Sequence, residues 1–305
     1  MNLRTLSHEY STKERCRELL RRMRWPNGVS CIRCNYTTLC WLSTQEKFEC
    51  GKCHYQFSVT AGTIFHDSHL SLETWFLAVH LMVQAKKGIS AHQMMRTLGI
   101  GGYKTAWYLC HRIRAAMKEI NPQPLKGTVE YDETWHGGKT RGRGKGYVGN
   151  KVNVMGAIER GGPVRLRVEK RITARNVSDF IAEVGGPEVA RVYTDAHPVY
   201  KRVDFGKAEH ASVDHKAEEW VRGDVHTNSV ESVWSLFKRS VLGSYHQLSE
   251  KHLQSYLDEM SFRFNRRKAS SDTLFLDTLR VLVHTPSLKF KELTNGKRDS
   301  MVITG

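Results

Sequence analysis

Between residues 228 and 241 the apolar side chains Val230, Val233, Trp234, Phe237 and Val241 recur at helical spacing, so one stripe of an amphipathic helix faces a core. Helical patterns also cover residues 72–85, 90–98 and 103–120, and a charged helix covers residues 12–24. The pattern changes after Asn121-Pro122-Gln123-Pro124, a natural linker. Strand-like runs follow at residues 128–134, 152–158 and 164–168, the last after a Gly161-Gly162-Pro163 turn, which predicts an antiparallel meander. A helix near residues 177–184 and strands near 190–194 and 208–213 come next. Three strands, a crossover helix and further strands predict an α/β domain with a mixed sheet.

Charge then narrows the partner. The 305 residues include 47 Lys and Arg against 31 Asp and Glu, a formal net charge of +16. Such an excess favours a polyanion, because each cation placed on a phosphate releases a condensed counterion. The 40% hydrophobic content is enough for a folded core. The mean hydropathy of −0.49 and the lack of any apolar run near the roughly 18 residues that span a bilayer exclude an integral membrane protein. The N-terminal stretch shows no apolar signal-peptide segment, so a cytoplasmic location is expected. A Gly-rich turn at residues 99–102 joins two helical patterns. Lys104, His111, Arg112 and Arg114 make the second one basic, which fits a helix-turn-helix, although an ordinary helical hairpin with solvated charges has the same pattern.

The seven cysteines are odd in number, which argues against a disulfide framework. Cys31 and Cys34 form one C-x-x-C pair and Cys50 and Cys53 another, with fifteen residues between them, the spacing at which two knuckles hold one tetrahedral zinc ion. Strand candidates at residues 47–50 and 55–59 complete a zinc ribbon too small to fold without its metal. Cys40 reads as a small apolar residue, and Cys16 and Cys110 as core.

Acidic residues stand at element ends. Asp132 lies on the first strand of the α/β segment, Asp195 ends the fourth, and Glu231 sits where the helix at residue 228 begins. Three carboxylates from separate elements, if they converge, bind Mg2+ or Mn2+, and two such ions activate a nucleophile and stabilise a leaving oxygen at a phosphodiester. A lone strand-end Asp more often caps a turn. Asn228 and Glu231 also match a capping box, and spacing alone does not choose between the two roles. Lys238, seven residues after Glu231, falls on the same flank of the helix. His226 is placed to orient the helix start. Trp135 and His136 adjoin the first acid, where either meets a terminal base or Trp135 is buried in the sheet.

Several motifs occur in one order: the two cysteine pairs running into residues 56–65, then Gly102-Tyr103-Lys104-Thr105-Ala106-Trp107, Asp132-Glu133-Thr134, and residues 226–239 from His226 to Arg239. In this the chain resembles the ISXO-like insertion-sequence transposases over about residues 15–270. The resemblance implies a DDE-type enzyme with a ribonuclease H-like mixed-sheet catalytic domain (125–270). A zinc ribbon with its leading helix (12–60) and a helix-turn-helix-like region (61–121) precede it, and a C-terminal helix and tail (271–305) follow. It assigns Asp132, Asp195 and Glu231 as the acids, with 35 residues between the last two. Asn228 is the alternative or accessory third residue, and Lys238 the basic residue that follows. The implied partners are double-stranded DNA, as terminal inverted repeats and target, and further copies of the chain on that DNA. Lys104, Arg112, Arg114, Lys139, Arg141, Arg143, Lys145, Lys238 and Arg239 are the expected DNA contacts. Two other readings remain: a DNA-binding regulator, which leaves the spaced acids without a role, and a ribonuclease H-like nuclease that does not join strands.

Overall fold

A computed structural model describes residues 1–137 and 151–295. The chain forms two compact units, Lys118–Arg267 and Met1–Met117 with Lys268–Gly305. In the first stretch α1 (Leu3–Glu9) is capped by Asn2 and α2 (Lys13–Arg24) by Thr12, each side chain accepting a first-turn amide. Strands β1 (Leu39–Leu42), β2 (Lys47–Cys50) and β3 (Gln56–Phe57) form an antiparallel sheet in that order. Its core is small: Cys31, Cys50, Phe57 and Ala61, with Trp25 and Phe48 packed against it. Helix α3 (Leu72–Gln84), capped by Ser71, is apolar nearly all round and buries Trp75, Phe76, Val79, Met82 and Val83. Helices α4 (Ala91–Thr97) and α5 (Tyr103–Ala116) form the expected pair across the glycine turn, where Gly99 takes φ +63°. Cys16 and Cys110 are buried as expected, but Cys40 is exposed on β1.

The other unit is built on a five-stranded sheet in the order β6-β5-β4-β7-β8. Strands β4 (Leu125–His136), β5 (Val152–Glu159) and β6 (Val164–Glu169) are the antiparallel meander. Helix α6 (Ala174–Val184) crosses over, and β7 (Gly185–Asp195) then runs parallel to β4, with β8 (Glu209–Val213) parallel to β7. One face packs Leu125, Val129, Tyr131, Ala157 and Val192 against Val177, Phe180 and Val184 of α6. The opposite face packs Val154, Ile158 and Val164 against α7 (Asn228–Ser240) and α8 (Glu250–Asn265). The stripe read from the sequence is that buried face of α7: Val230, Val233, Trp234 and Phe237 are all in this core. Helix α8 also closes the β6 edge, since Gln254 and Asn265 bond to the free backbone groups of Val164, Leu166 and Val168. This is a ribonuclease H-like mixed sheet between helical layers. Helices α9 (Ser271–His284) and α10 (Phe290–Thr294) return to the first unit, where α9 packs on α2 and α3. Among the described residues no helix is long and apolar enough to cross a membrane.

Candidate active site

Alternation along β4 turns Glu130 and Asp132 toward α7 and Tyr131 toward α6. The parallel pairing aligns Glu130 with Tyr193, so two residues further on Asp132 comes beside Asp195 at the end of β7. Glu133 reaches the same point, and carboxylate oxygens of Asp132, Glu133 and Asp195 all lie within 4.8 Å of one another. Each acid is held by a neutral donor: the Trp234 indole N–H to Asp132 Oδ2 at 2.8 Å, the Tyr200 hydroxyl to Glu133 Oε2 at 2.7 Å, and the His197 amide to Asp195 Oδ1 at 3.0 Å. Gly156 faces Asp132 across the β4–β5 pair. A Cβ there would stand 2.5 Å from the Trp234 ring, so the glycine makes the room through which the indole reaches the acid.

Burial, then the charges of Glu133 and Asp195, push the Asp132 carboxyl up to about 8, against the pull of the Trp234 bond. Burial also raises Glu133, which the Tyr200 bond opposes. Among the described residues no Lys or Arg pairs with any of the three acids, while His197 Nδ1 stands 3.7 Å from Glu133. Three hard oxygen donors with uncompensated negative charge suit a divalent cation.

The structure does not bring Glu231 into this group. Its Oε1 accepts from Thr227 at 3.0 Å and lies 3.6 Å from His215 Nε2. Thr227, not Asn228, is the N-cap residue, and Asn228 is an exposed first-turn residue, so the capping box read at Asn228 and Glu231 is absent. The orphan amides of α7 go instead to Glu130, which is fully buried. Its carboxylate accepts from the Ser229 and Val230 amides at 2.8 and 3.1 Å, the Ser229 hydroxyl at 2.9 Å and Arg160 Nε at 2.7 Å. His226 contributes at the helix start by meeting Arg160 Nη2 at 3.0 Å. Glu130→Ala strands both Arg160 and the helix amides, and is expected to cost about 3–5 kcal/mol of stability. Urea unfolding measures it, and a loss below about 1 kcal/mol contradicts this role.

In the ribbon, Sγ distances of 3.7 Å (Cys31–Cys53), 3.5 Å (Cys34–Cys50) and 3.4 Å (Cys34–Cys53) bring the four thiols together. A tetrahedron with Zn–S bonds of about 2.3 Å has edges of about 3.8 Å, so the four residues fit zinc. The Arg33 amide points at Cys31 Sγ, and the Lys52 and Cys53 amides point at Cys50 Sγ, donors that favour thiolates.

The expected DNA contacts divide. Lys104 at the start of α5 is exposed, with its ammonium over Phe290, and Lys238 and Arg239 are exposed on α7. Arg112 and Arg114, by contrast, are 2% and 1% exposed. Arg112 lies over the Trp75 and Tyr108 rings and bonds the His66 carbonyl, and Arg114 reaches the Ile89 carbonyl. They hold the helices of their own unit together, which corrects their placement at a DNA surface. Lys139, Arg141, Arg143 and Lys145 lie outside the described residues. Trp135 is 59% exposed, so the expectation of a buried sheet residue is also corrected.

On this ribonuclease H-like sheet Asp132 of β4 meets Asp195 at the end of the parallel strand β7, and the same chain carries a four-cysteine ribbon. Residues 124–265 match the ISXO2-like transposase domain and residues 11–56 the transposase zinc-ribbon domain. The chain belongs to the family of insertion-sequence transposases that these two domains define. It is 28% identical over 274 residues, 83% of this chain and 91% of the relative, to an uncharacterized protein in transposable element ISH50 of Halobacterium salinarum. A chain of the simian T-cell lymphotropic virus intasome in complex with PP2A regulatory subunit B56 gamma aligns with 69% of this chain and 76% of its own, at 13% identity and a TM-score of 0.31.

Proposed function

We propose that the protein binds the terminal inverted repeats of its own insertion sequence and catalyses metal-dependent DNA strand cleavage and strand transfer. The observation that carries this reading is the group of three uncompensated carboxylates formed where Asp132 and Glu133 of β4 meet Asp195 at the end of β7. Asp132 and Asp195 would hold Mg2+ or Mn2+, and Glu231, which here rests against Thr227 and His215 outside that group, would complete the site as its third acid. Bound there, the ions supply a polarised nucleophile for in-line attack on phosphorus and neutralise charge on the departing 3′ oxygen. The chain's own residues aim the acids: Trp234 fixes the Asp132 rotamer, Tyr200 fixes Glu133, and the His197 amide fixes Asp195. Burial holds the Tyr200 hydroxyl far above its usual range, so it stays a donor at neutral pH. Lys238, Arg239 and the basic stretch with Lys139, Arg141, Arg143 and Lys145 hold the phosphate backbone. The ribbon and the helices through residue 121 engage the element ends, as further copies of the chain assemble on that DNA in the cytoplasm.

The test is incubation with duplexes of the element ends and Mg2+, mapping nicks and joined strands. Wild-type protein is expected to give both. Glu231→Gln is expected to lose cleavage by more than the ~10–100-fold that follows from losing a group that merely orients a ligand, with end binding intact. Full cleavage by Glu231→Gln together with none by Glu133→Gln transfers the third position to Glu133. Nicks without joined products make the protein a nuclease, and binding alone makes it a regulator.

A further inference from the structure

On β4, Glu133 and Trp135 are two residues apart and share a face, so their backbones are separated by about 6.6–6.8 Å along the strand. An indole is thereby held one step from the carboxylate cluster. Trp75 and Trp234 keep only 1% and 4% of their surface exposed, whereas Trp135 keeps 59% open, as Trp220 does 56% away from the acids. The Lys151 ammonium stands 3.5 Å from the centre of the Trp135 ring. Pairing places Trp135 opposite Asn153, one step before the last pair of the β4–β5 ladder, and Trp135 is in neither hydrophobic core that packs on the sheet.

A single exposed aromatic needs no explanation, but this combination has a chemical meaning. A ring face stacks on any base, since every base has a π surface, and an ammonium lying over the other face of that ring attracts a phosphate. Both attachments belong to one nucleotide, and they stand beside the acids at which a phosphodiester is to be cut. A base inside a paired duplex cannot lay its face on such a ring, because its neighbours already occupy both faces. We infer that Trp135, with Lys151, is a stacking platform for an unpaired base of the DNA end next to the scissile phosphate, so that the enzyme works on an end whose last pairs are opened. This inference rests on the proposed function, since it assumes that the acid cluster cuts DNA. Trp135 acts as a substrate-positioning residue: it lowers the cost of unpairing and leaves the chemistry to the acids.

The experiment compares wild-type protein, Trp135→Ala and Trp135→Phe on two sets of end duplexes, fully paired or with the bases next to the cleavage position mismatched. Trp135→Ala is expected to cleave paired ends roughly 5- to 160-fold more slowly, the factor carried by loss of one base–aromatic stack. Mismatched ends should recover most of that loss, because their unpairing cost is already met. Trp135→Phe, which keeps a ring, should stay close to wild type, and an unchanged thermal transition in Trp135→Ala excludes misfolding as the cause. The stack itself is read without metal, by quenching of 2-aminopurine placed at the unpaired position. Wild-type protein and Trp135→Phe should quench it and Trp135→Ala should not. Equal quenching by all three, or a loss in Trp135→Ala that is the same on paired and mismatched ends, overturns the inference. Absence of cleavage by wild-type protein counts against the proposed function instead, and the metal-free quenching still decides the stack.

Discussion

Asp132→Asn protein is expected to bind the element ends as wild type does and to leave them uncut. The substitution keeps shape and can still accept the Trp234 bond, but it removes the charged oxygen at the centre of the acid group. The same change has an opposite effect on stability. Asp132 ordinarily titrates near 3.8 and is pushed up to about 8 in the fold, first by burial and then by Glu133 and Asp195. Between those values the unfolded chain has lost the proton that the metal-free fold retains, so stability falls as pH rises through that window and levels off above it. Asparagine has no proton to lose. Without metal at pH 8, Asp132→Asn should therefore melt above wild type, each ~1 kcal/mol of relieved repulsion raising Tm by ~2–4 °C. At pH 4 the difference should vanish. Mg2+ should raise the wild-type transition and leave that of the variant nearly still. Melting curves at both pH values with and without Mg2+ check all of this. A variant that cuts DNA, or that shares the wild-type pH dependence, removes Asp132 from the centre of the site.

Cys50→Ser is expected to abolish zinc binding and to unfold the ribbon. Cys50 is fully buried at the middle of a core whose other members are Cys31, Phe57 and Ala61, too little apolar surface to hold three short strands. Structural zinc contributes on the order of 10–16 kcal/mol to such folds, far more than the few packed side chains. Elemental analysis should give one zinc per wild-type chain and none for the variant, and limited proteolysis should cut the variant, or chelator-treated wild type, within residues 25–60. Zinc retained by Cys50→Ser, or a ribbon that resists protease after chelation, contradicts the assignment.

What the sequence made legible was local. The cysteine pairs announce their geometry by spacing, the five sheet strands by short apolar runs between turns, and α7 by its stripe. Asp195 stands out as an acid that ends a strand, and Asp132 as an acid on the first strand after the linker. Glu133 does not, since alternation assigns it to the opposite face from Asp132, and only the reach of its side chain beside the end of β7 brings its oxygens to the others. Glu130 is hidden for another reason: its partners at Ser229 and Val230 are about a hundred residues away, and a lone strand Glu carries no mark of them. Arg112 and Arg114 mislead because a basic helix face looks solvated until the rings and carbonyls that receive it are in place. Strand β1 and helix α1 lie in short segments with weak periodicity, which tertiary packing fixes rather than local pattern.

Helix α9 completes the first unit with Phe275, Leu279 and Leu282, all fully buried against elements that precede the sheet. A ribosome moving at about 5–20 residues per second needs roughly 8–30 s to cross the intervening unit. During synthesis the α6–α8 layers are thus available to fold while the core of the preceding helices still waits for its last wall. A frameshift or early stop after residue 267 spares every acid of the sheet and yet leaves that first core open. Sequence damage in the stretch that encodes α9 is therefore expected to be felt in the helices that were synthesised first.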